Sequence, residues 1–254
     1  MKTKNIACAA ASLTVFLNSG AAHAEFKGLG EQDGWLLGLG LISDFPAYEG
    51  TDSPEILPVP YIAYSWENAT LGVEGFTYNF FGTDTFEVTA LIEPRWSFTD
   101  PNDSSKFNGI ERDTALEAGL AANLNLGNLY LEGRAVQDIS AVHKGREGTL
   151  KAGFIHGFGD IGFDLGVGAT YRNDDLNLHL YGVKSDEVTP TLAQFTPDDS
   201  VQPFIEGSLA MPISESISVI AFGKVEKFSD DIKSSPLVSR NAEGTAGVLF
   251  LKRF

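Results

Sequence analysis

The chain has 254 residues and a formal net charge of −16, with 34 aspartates and glutamates against 18 lysines and arginines. Such an acidic chain argues against nucleic acid as a partner, because binding to a phosphate backbone depends on lysine and arginine contacts. The charge also argues against adsorption to anionic lipid through a basic patch.

The first 24 residues have the features of a cleaved signal peptide. Lys2 and Lys4 supply positive charge, residues 6–17 are almost wholly apolar, and Ala22-His23-Ala24 has the small-x-small pattern of a signal peptidase site. The apolar run is too short to anchor the chain across a bilayer. We therefore predict a signal peptide over 1–24 and one domain over 25–254, without disulfides because the only cysteine, Cys8, precedes it.

Apolar and polar residues alternate along almost the whole of 25–254, as they do in half-buried strands. In 114–126, every second residue from Leu116 to Leu126 is leucine or alanine. Gly127-Asn128 is a tight-turn pair, after which the alternation resumes. The predicted strands are 34–44, 55–66, 69–81, 85–98, 113–126, 128–139, 147–157, 160–172, 175–184, 201–212, 215–228 and 244–254.

Long polar connections separate some of these strands, at 45–54, 99–112, 185–200 and 229–243. Outer-membrane barrels place long loops outside the cell and short turns in the periplasm. With twelve strands, 99–112 falls on the periplasmic side, unlike the other three. Either one periplasmic turn is long, or the count is wrong near 69–84 and 173–200, and ten strands is the alternative.

A soluble β-sandwich is the other fold that alternating strands could form. The apolar faces run unbroken over five or six alternate positions, which favours lipid contact. The chain also ends on Phe254, like the terminal aromatic signal read by the outer-membrane insertion machinery, although Lys252 interrupts the pattern. Aromatic residues near strand ends resemble interfacial girdles: Trp35, Trp66, Trp96 and Phe98.

These features predict an all-β protein, a transmembrane antiparallel up-and-down β-barrel of about 12 strands in the outer membrane of a Gram-negative bacterium. Its lipid partners would be outer-membrane lipid and lipopolysaccharide. The polar strand faces carry both signs of charge, and so narrow a barrel lets pairs cross it. The lumen charges are predicted to be Glu87, Glu93, Glu117, Glu132, Asp164, Glu206, Glu226, Arg95, Arg134, Lys151, Arg172 and Lys224. A salt-bridged plug is favoured over a selective pore, because no long loop is built to line a channel.

The domain contains three histidines but no recognisable catalytic arrangement. His143, His156 and His179 lie outside any H-x-S or G-x-S-x-G pattern, and no H-x-x-x-H spacing indicates a metal. His179 is predicted to face the lumen on a strand beside Asn177 and Tyr181. We predict no catalytic residue, metal or cofactor.

Five short motifs, in order along the chain, resemble those of the MipA/OmpV family. The first is a P-x-Y-x-G-(S/T)-D segment that leads to P-x-P-Y, and the others are R-D…E-x-G, D…H-x-G, (Y)YGV and D…SP-(I/L)-V. The residues that carry them are Pro46, Tyr48, Gly50, Asp52, Pro58, Pro60, Tyr61, Arg112, Asp113, Glu117, Gly119, His143, Gly145, Tyr181, Gly182, Val183, Ser235 and Pro236. Leu180 replaces the first tyrosine of YYGV, and Lys252 stands where the family more often has an aromatic residue.

The resemblance implies a non-enzymatic outer-membrane barrel that scaffolds peptidoglycan-remodelling enzymes, namely a lytic transglycosylase and a peptidoglycan synthase. Periplasmic turns around Trp66–Asn68 and Pro212–Glu215 would then be the docking face. The alternative is a narrow pore or a surface adhesin that acts through the loops 45–54, 185–200 and 229–243. A fold by itself does not decide between these roles.

Overall fold

The computed structural model describes residues 33–51, 55–96, 100–104, 106–107 and 109–254. The predicted signal peptide lies outside these residues. The strands are β1 (Gly34–Phe45), β2 (Glu55–Trp66), β3 (Ala69–Gly72), β4 (Gly75–Gly82), β5 (Phe86–Arg95), β6 (Ala115–Leu126), β7 (Leu129–Asp138), β8 (Arg146–Phe158), β9 (Ile161–Arg172), β10 (Ser200–Ser214), β11 (Ile217–Lys227) and β12 (Ala242–Arg253). The helices are α1 (Asp174–Tyr181), α2 (Asp230–Lys233) and a 3-10 turn at Pro101–Asp103.

The twelve strands form one closed barrel in which each strand pairs with its neighbours in sequence. Closure comes from antiparallel pairing of β1 with β12, from Leu36 opposite Arg253 to Phe45 opposite Gly244. A closed barrel leaves no free sheet edge at this seam. The predicted all-β, antiparallel, twelve-stranded barrel is confirmed.

Two errors in the predicted strand list cancel each other in the count. The predicted strand 69–81 is a hairpin, because the chain reverses at Val73-Glu74 between β3 and β4. Gly75 follows this turn with φ of 121°, a conformation that side chains disfavour. The predicted strand 175–184 is wrong as well, since these residues belong mainly to helix α1.

Helix α1 begins after Asn173, at a sequence typical of a helix N-terminus that the strand prediction for 175–184 overlooked. The Asn173 side chain accepts a hydrogen bond from the Leu176 amide, and Asp174 and Asp175 occupy the first turn. An asparagine cap and early acidic residues both stabilise a helix N-terminus. The alternating pattern of 175–184 is therefore compatible with one buried helical face.

The hairpin also corrects the placement of the loop 99–112. With β3 and β4 counted separately, the connection 96–114 lies at the same barrel end as 46–54, 139–145, 173–199 and 228–241. The other end carries only two- or three-residue turns between the strands. By the usual arrangement, the long-loop end is extracellular and the short-turn end is periplasmic.

The outer surface of the barrel is apolar, which places it in a membrane. Outward residues such as Leu39, Leu150 and Val167 are 61%, 74% and 53% exposed. Apart from the notch described below, a closed barrel with such a surface satisfies its backbone internally and exposes its apolar side chains to lipid. At the periplasmic end, the Tyr64 ring lies 4.9 Å from Trp35 and 5.9 Å from Trp66, centroid to centroid, as expected of an interfacial girdle.

Phe98 of the predicted girdle lies outside the described residues. Within the described part of the chain, no helix has the length and apolar character needed to cross a membrane.

The lumen has an apolar side and a charged side. On the inner face of β10–β12, β1 and β2, buried apolar residues form one cluster: Leu36, Ile42, Val59, Tyr61, Ala63, Ala210, Ile220, Phe222, Leu249 and Leu251. The inner face of β5–β9 carries most of the charged side chains instead. Burial of the apolar cluster contributes to stability in proportion to the area removed from water.

The short β3–β4 hairpin leaves a notch in the extracellular half of the wall. β2 pairs with β3 only from Ala63 to Trp66, and the Val73 amide donates to the Ile62 carbonyl at 3.0 Å. Backbone groups of alternate residues point the same way in an antiparallel strand. The backbone nitrogens of Pro60 and Pro58 therefore face the notch as well.

The facing edge of β5 carries a third proline in the equivalent orientation. The Phe86 carbonyl accepts a hydrogen bond from the Thr83 amide, so the backbone groups of Phe86 face β4. Pro94 is an even number of residues further along β5, so its backbone nitrogen faces the same side, where the notch lies. Proline has no N–H, so these three positions present no unpaired donor at membrane depth. This explains the P-x-P part of the family motif as protection of a free strand edge.

We predict that Pro58→Ala and Pro60→Ala together destabilise the barrel. The change adds two N–H groups that face the notch, and each unsatisfied donor costs about 1–3 kcal/mol. Urea unfolding in detergent micelles, followed by tryptophan fluorescence, should show a lower midpoint than the wild type. Pro190→Ala, in an exposed loop, is the control, and a double variant as resistant as this control would contradict the explanation.

Candidate functional site

Glu147 is the centre of the ionic network inside the barrel. Its carboxylate accepts hydrogen bonds from Arg172 Nε at 2.9 Å and Arg134 Nη1 at 3.0 Å, and Arg95 Nη2 lies 3.2 Å away. These partners come from β9, β7 and β5, while Glu147 is on β8. The β5 contact therefore crosses the lumen between strands that are not neighbours.

Other pairs extend the network along the barrel. Lys151 lies 3.0 Å from Glu206 and 3.1 Å from Glu132, which joins β8 to β10 and β7. Arg172 also pairs with Glu226 of β11. Buried ion pairs of this kind need several partners each to offset the cost of desolvation.

The sequence prediction of a salt-bridged lumen is confirmed for most of the residues named. The predicted charges that form ion pairs with one another or with Glu147 are Glu93, Glu117, Glu132, Glu206, Glu226, Arg95, Arg134, Lys151, Arg172 and Lys224. Asp164 accepts instead from the Tyr130 hydroxyl at 2.9 Å. Glu147 was missed, although it shares the inward parity of Lys151 on β8.

The extracellular loops pack into one apolar lid over the lumen. The lid residues are Ala47, Tyr48, Phe107, Ile110, Tyr181, Val183, Leu192, Phe228, Ile232 and Leu237, all of them buried. They come from the connections after β1, β5, β9 and β11. Loops far apart in sequence thus share a small core of their own.

The first and last family motifs meet in this lid. Tyr48 forms an isolated antiparallel bridge with Val238, and the Glu49 amide donates to the Leu237 carbonyl at 2.8 Å. The Tyr48 hydroxyl donates to the Leu180 carbonyl at 2.9 Å. Burial raises the pKa of Tyr48, so its hydroxyl remains a donor at neutral pH.

The YGV motif lies between them. Ser235 Oγ donates to the Tyr181 carbonyl at 2.6 Å, and the Tyr181 hydroxyl donates to Glu243 of β12 at 3.0 Å. Val183 is fully buried in the lid. A tyrosine that packs in the lid and bonds to a lumen carboxylate couples the two layers.

Arg112 holds two of the lid loops together. Its guanidinium forms a fork to Glu187, and Nη2 donates to the Gly182 carbonyl at 2.8 Å. The side chain is only 3% exposed. Although burial alone would raise it, the pKa of Glu187 is held below its usual value by the hydrogen bond from Arg112.

His143 lies in the turn between β7 and β8 and faces the network. Its Nδ1 accepts from the Gly145 amide at 2.9 Å, and its Nε2 lies 3.4 Å from Glu117. A Cβ on Gly145 would stand 2.6 Å from Leu176 Cβ, which explains the glycine of the H-x-G motif. Asp138 ties the turn by accepting from the amides of Ser140, His143 and Lys144.

The three histidines do not form one site. His179 is on helix α1, not on a lumen strand as predicted, and its ring centroid lies 5.2 Å from that of His143. His156 lies near the periplasmic end of β8, where Asn128 Nδ2 is 3.3 Å from its Nδ1. Burial, and then the nearby charge of His143, lowers the pKa of His179 to about 3.

The remaining motif residues lie outside the lid contacts described above. Pro58, Pro60 and Tyr61 line β2, while Gly119 of β6 meets the Ala135 carbonyl so closely that a Cβ would clash. Asp52 lies outside the described residues. Pro46 and Asp113 line the cavity that is described in the next paragraph, and Asp113 is exposed. Gly50 has a φ of 85°, and Pro236 lies in the last extracellular loop. Phe254 is exposed after the end of β12.

A cavity of about 420 Å³ extends from the lid down the lumen beside the ionic network. Residues of both layers line it, including Tyr48 and Tyr181 from the lid and Glu93, Glu147 and Arg172 from the network. Its size is within the range of small-molecule sites.

A closed barrel with an apolar outer face, an ion-paired lumen and a packed loop lid defines a loop-capped outer-membrane β-barrel. The family model described as "MltA-interacting protein MipA" matches residues 37–254, so the chain belongs to that family. The resemblance inferred from the five motifs is confirmed.

The relatives and similar structures span most of the chain. The chain is 25% identical over 240 residues to the MltA-interacting protein of Escherichia coli (strain K12), covering 92% of this chain and 93% of that protein. It is 22% identical over 193 residues to the putative outer membrane protein YiaT of the same organism, covering 74% and 78%. Similar solved structures include Pseudomonas putida OprB at high pH (TM-score 0.45, 10% identity, 87% and 94% covered) and the CymD monoaromatic hydrocarbon channel (TM-score 0.43, 10%, 95% and 92%).

We predict that Arg112→Lys loosens the lid without unfolding the barrel. A lysine cannot reproduce the fork to Glu187 and the bond to Gly182 together, because its ammonium is a single point charge. Hydrogen exchange in 173–199 should accelerate, and Arg112→Met should accelerate it further, by the loss of about 3 kcal/mol of local stability. Arg240→Lys, an exposed change in a neighbouring loop, is the control, and unchanged exchange in both Arg112 variants would refute the role.

We predict that acid loosens the same lid through His179. The histidine stays neutral in the folded lid but titrates near its usual pKa of about 6.5 when the loop opens. The open state therefore binds more protons as the pH falls from about 6.5 toward 3, and lid stability decreases. His179→Gln should flatten this pH dependence of hydrogen exchange while His156→Gln keeps it, and equal pH profiles for His179→Gln and the wild type would count against the assignment.

Proposed function

We propose that this outer-membrane barrel is a non-enzymatic scaffold for peptidoglycan-remodelling enzymes, a lytic transglycosylase and a peptidoglycan synthase. Membership of the MipA family and a relative named for interaction with MltA support this role. The structural observation that carries it is the braced interior, in which ion pairs join lumen strands below a packed lid. Such a barrel is built to be rigid, and a rigid rim suits docking.

The docking face of this scaffold is the periplasmic rim. Acidic residues stand exposed at its turns: Asp33, Glu67, Asp84, Asp160 and Glu215. Glu67 has φ of 45°, and its amide donates to Asp33 Oδ1 at 2.7 Å, so this turn is held in one conformation. An acidic, preorganised rim favours a partner with a basic surface, because complementary charge sets encounter rate and register.

The two turns around Trp66–Asn68 and Pro212–Glu215 are adjacent to the barrel seam. β2 and β1 pair directly, and β12 lies between β1 and β11, which follows the second turn. The two turns therefore lie on the same side of the rim, where one partner can reach both.

We predict that Glu67→Lys with Glu215→Lys weakens capture of the lytic transglycosylase roughly tenfold, since rim charges steer association. The measurement is a crosslinked pull-down of tagged protein from native envelopes, with mass spectrometry. Glu111→Lys with Asp186→Lys makes the same charge change on exposed extracellular loops and should leave capture intact. Equal capture by both double variants would remove these turns as the docking site.

The cavity gives a second candidate, a narrow pore opened by movement of the lid. The cavity is bounded by Tyr48 and Tyr181 on the lid side and reaches Glu87 and Glu132 deeper in the lumen. Stable conductance of the wild type in planar bilayers, increased by Arg112→Lys, would favour the pore over the scaffold.

A further inference from the structure

The cavity that runs from the lid down the lumen is strongly acidic. Its lining contains ten carboxylates but five side chains with a permanent positive charge. It reaches the surface beside Asp113 and Thr114, which line it and are exposed at the extracellular end. Low-dielectric walls focus such a field and raise the local concentration of cations.

Two buried acceptors in this lining have no hydrogen-bond partner. They are Glu93 Oε2 and Asn123 Oδ1, in side chains of residues that are 8% and 4% exposed. An unsatisfied buried acceptor costs about 1–3 kcal/mol, and an ionised one costs more. Both atoms could therefore accept a hydrogen bond from a ligand that enters the cavity.

The deep end of the cavity also contains a carboxylate with neutral hydrogen-bond partners. Glu87 accepts only amide hydrogen bonds among the described residues, from Asn79 Nδ2 and Asn123 Nδ2 at 3.4 Å each. The ion pairs that neutralise other lumen carboxylates lie higher or on other strands, as with Arg134 and Glu93. Glu87 can therefore form an ion pair with a bound cation as well as accept its hydrogen bonds.

The spacing of these groups selects the shape of the ligand. Glu87 lies opposite Asn123, and Glu93 lies six residues further along β5. Six residues of strand span roughly 20 Å, so one ion cannot contact both levels. Among the described residues, no group of three or more histidine, cysteine, aspartate or glutamate side chains is arranged to hold a metal.

We propose that this cavity binds a linear polyamine from the extracellular side, with one ammonium group at Glu93 and another at Glu87 and Asn123. Primary and secondary ammonium groups supply donors and charge at intervals along a flexible chain, which matches acceptors at separate depths. Charge-assisted hydrogen bonds to the two carboxylates supply the main attraction. None of the five exposed acids of the periplasmic rim lines the site.

The test is isothermal titration of spermine into the purified full-length barrel in detergent at low salt. Glu87→Gln and Glu93→Gln should each weaken binding about tenfold, the loss expected for one charge-assisted hydrogen bond. Glu206→Gln is the matched control, because Glu206 is also a buried lumen carboxylate with an unpartnered oxygen but does not line the cavity. It should bind spermine like the wild type.

Folding of each variant is checked by its gel shift on heating, and Asn123→Leu tests the deep level without changing the charge. No heat of binding for the folded wild type would overturn the proposal. Equal weakening by Glu206→Gln would also overturn it, since binding would then follow total lumen charge. Saturable binding of magnesium that displaces spermine stoichiometrically would replace the polyamine with a metal ion.

Discussion

The convergence of three guanidinium groups on Glu147 is the constraint on which the interior depends. Arg95, Arg134 and Arg172 belong to strands on both sides of β8, and each reaches the same buried carboxylate. Without Glu147, three cations that are at most 16% exposed would lose a shared counter-charge, and breaking one buried pair already costs about 3–5 kcal/mol. The network therefore fixes the separation of strands that do not pair with each other.

The extracellular loops are joined to this network by direct side-chain contacts. His143 contacts Glu117, which Arg95 also binds, and Tyr181 reaches Glu243 from the apolar layer above. Most family motifs fall at these joints between loop and lumen. Their common task is to hold long loops in one arrangement, because a loop without such contacts would lose conformational entropy on ordering with little in return.

A barrel with an ion-paired lumen and a packed lid leaves two surfaces for function: the acidic periplasmic rim and the acidic cavity that reaches the extracellular side. The two surfaces differ in chemistry, and none of the five exposed rim acids lines the cavity. The rim offers fixed charges on short turns, which suits a protein partner. The cavity offers buried acceptors at two depths, which suits a small flexible cation. One rigid scaffold can carry both, since neither site requires the other to move.

Much of the architecture could be predicted from local patterns. Period-two alternation is a property of single strands, so it located most of them, and inward parity identified the lumen charges. It failed at 69–81 and 175–184. Within 69–81 the pattern does not reveal that the strand turns back at Val73-Glu74. In 175–184 the buried side of helix α1 imitates alternation, although Asn173-Asp174-Asp175 carried a helix signal.

The sequence by itself determined the barrel, its membrane-facing surface and the family, because these follow from periodicity and from motifs in order. Only the tertiary structure decided how the motifs meet, as in the bridge between Tyr48 and Val238. It also decided that Pro58 and Pro60 guard a notch and that Glu147 joins three strands. Contacts between residues so far apart depend on barrel closure and strand register, which no local pattern encodes.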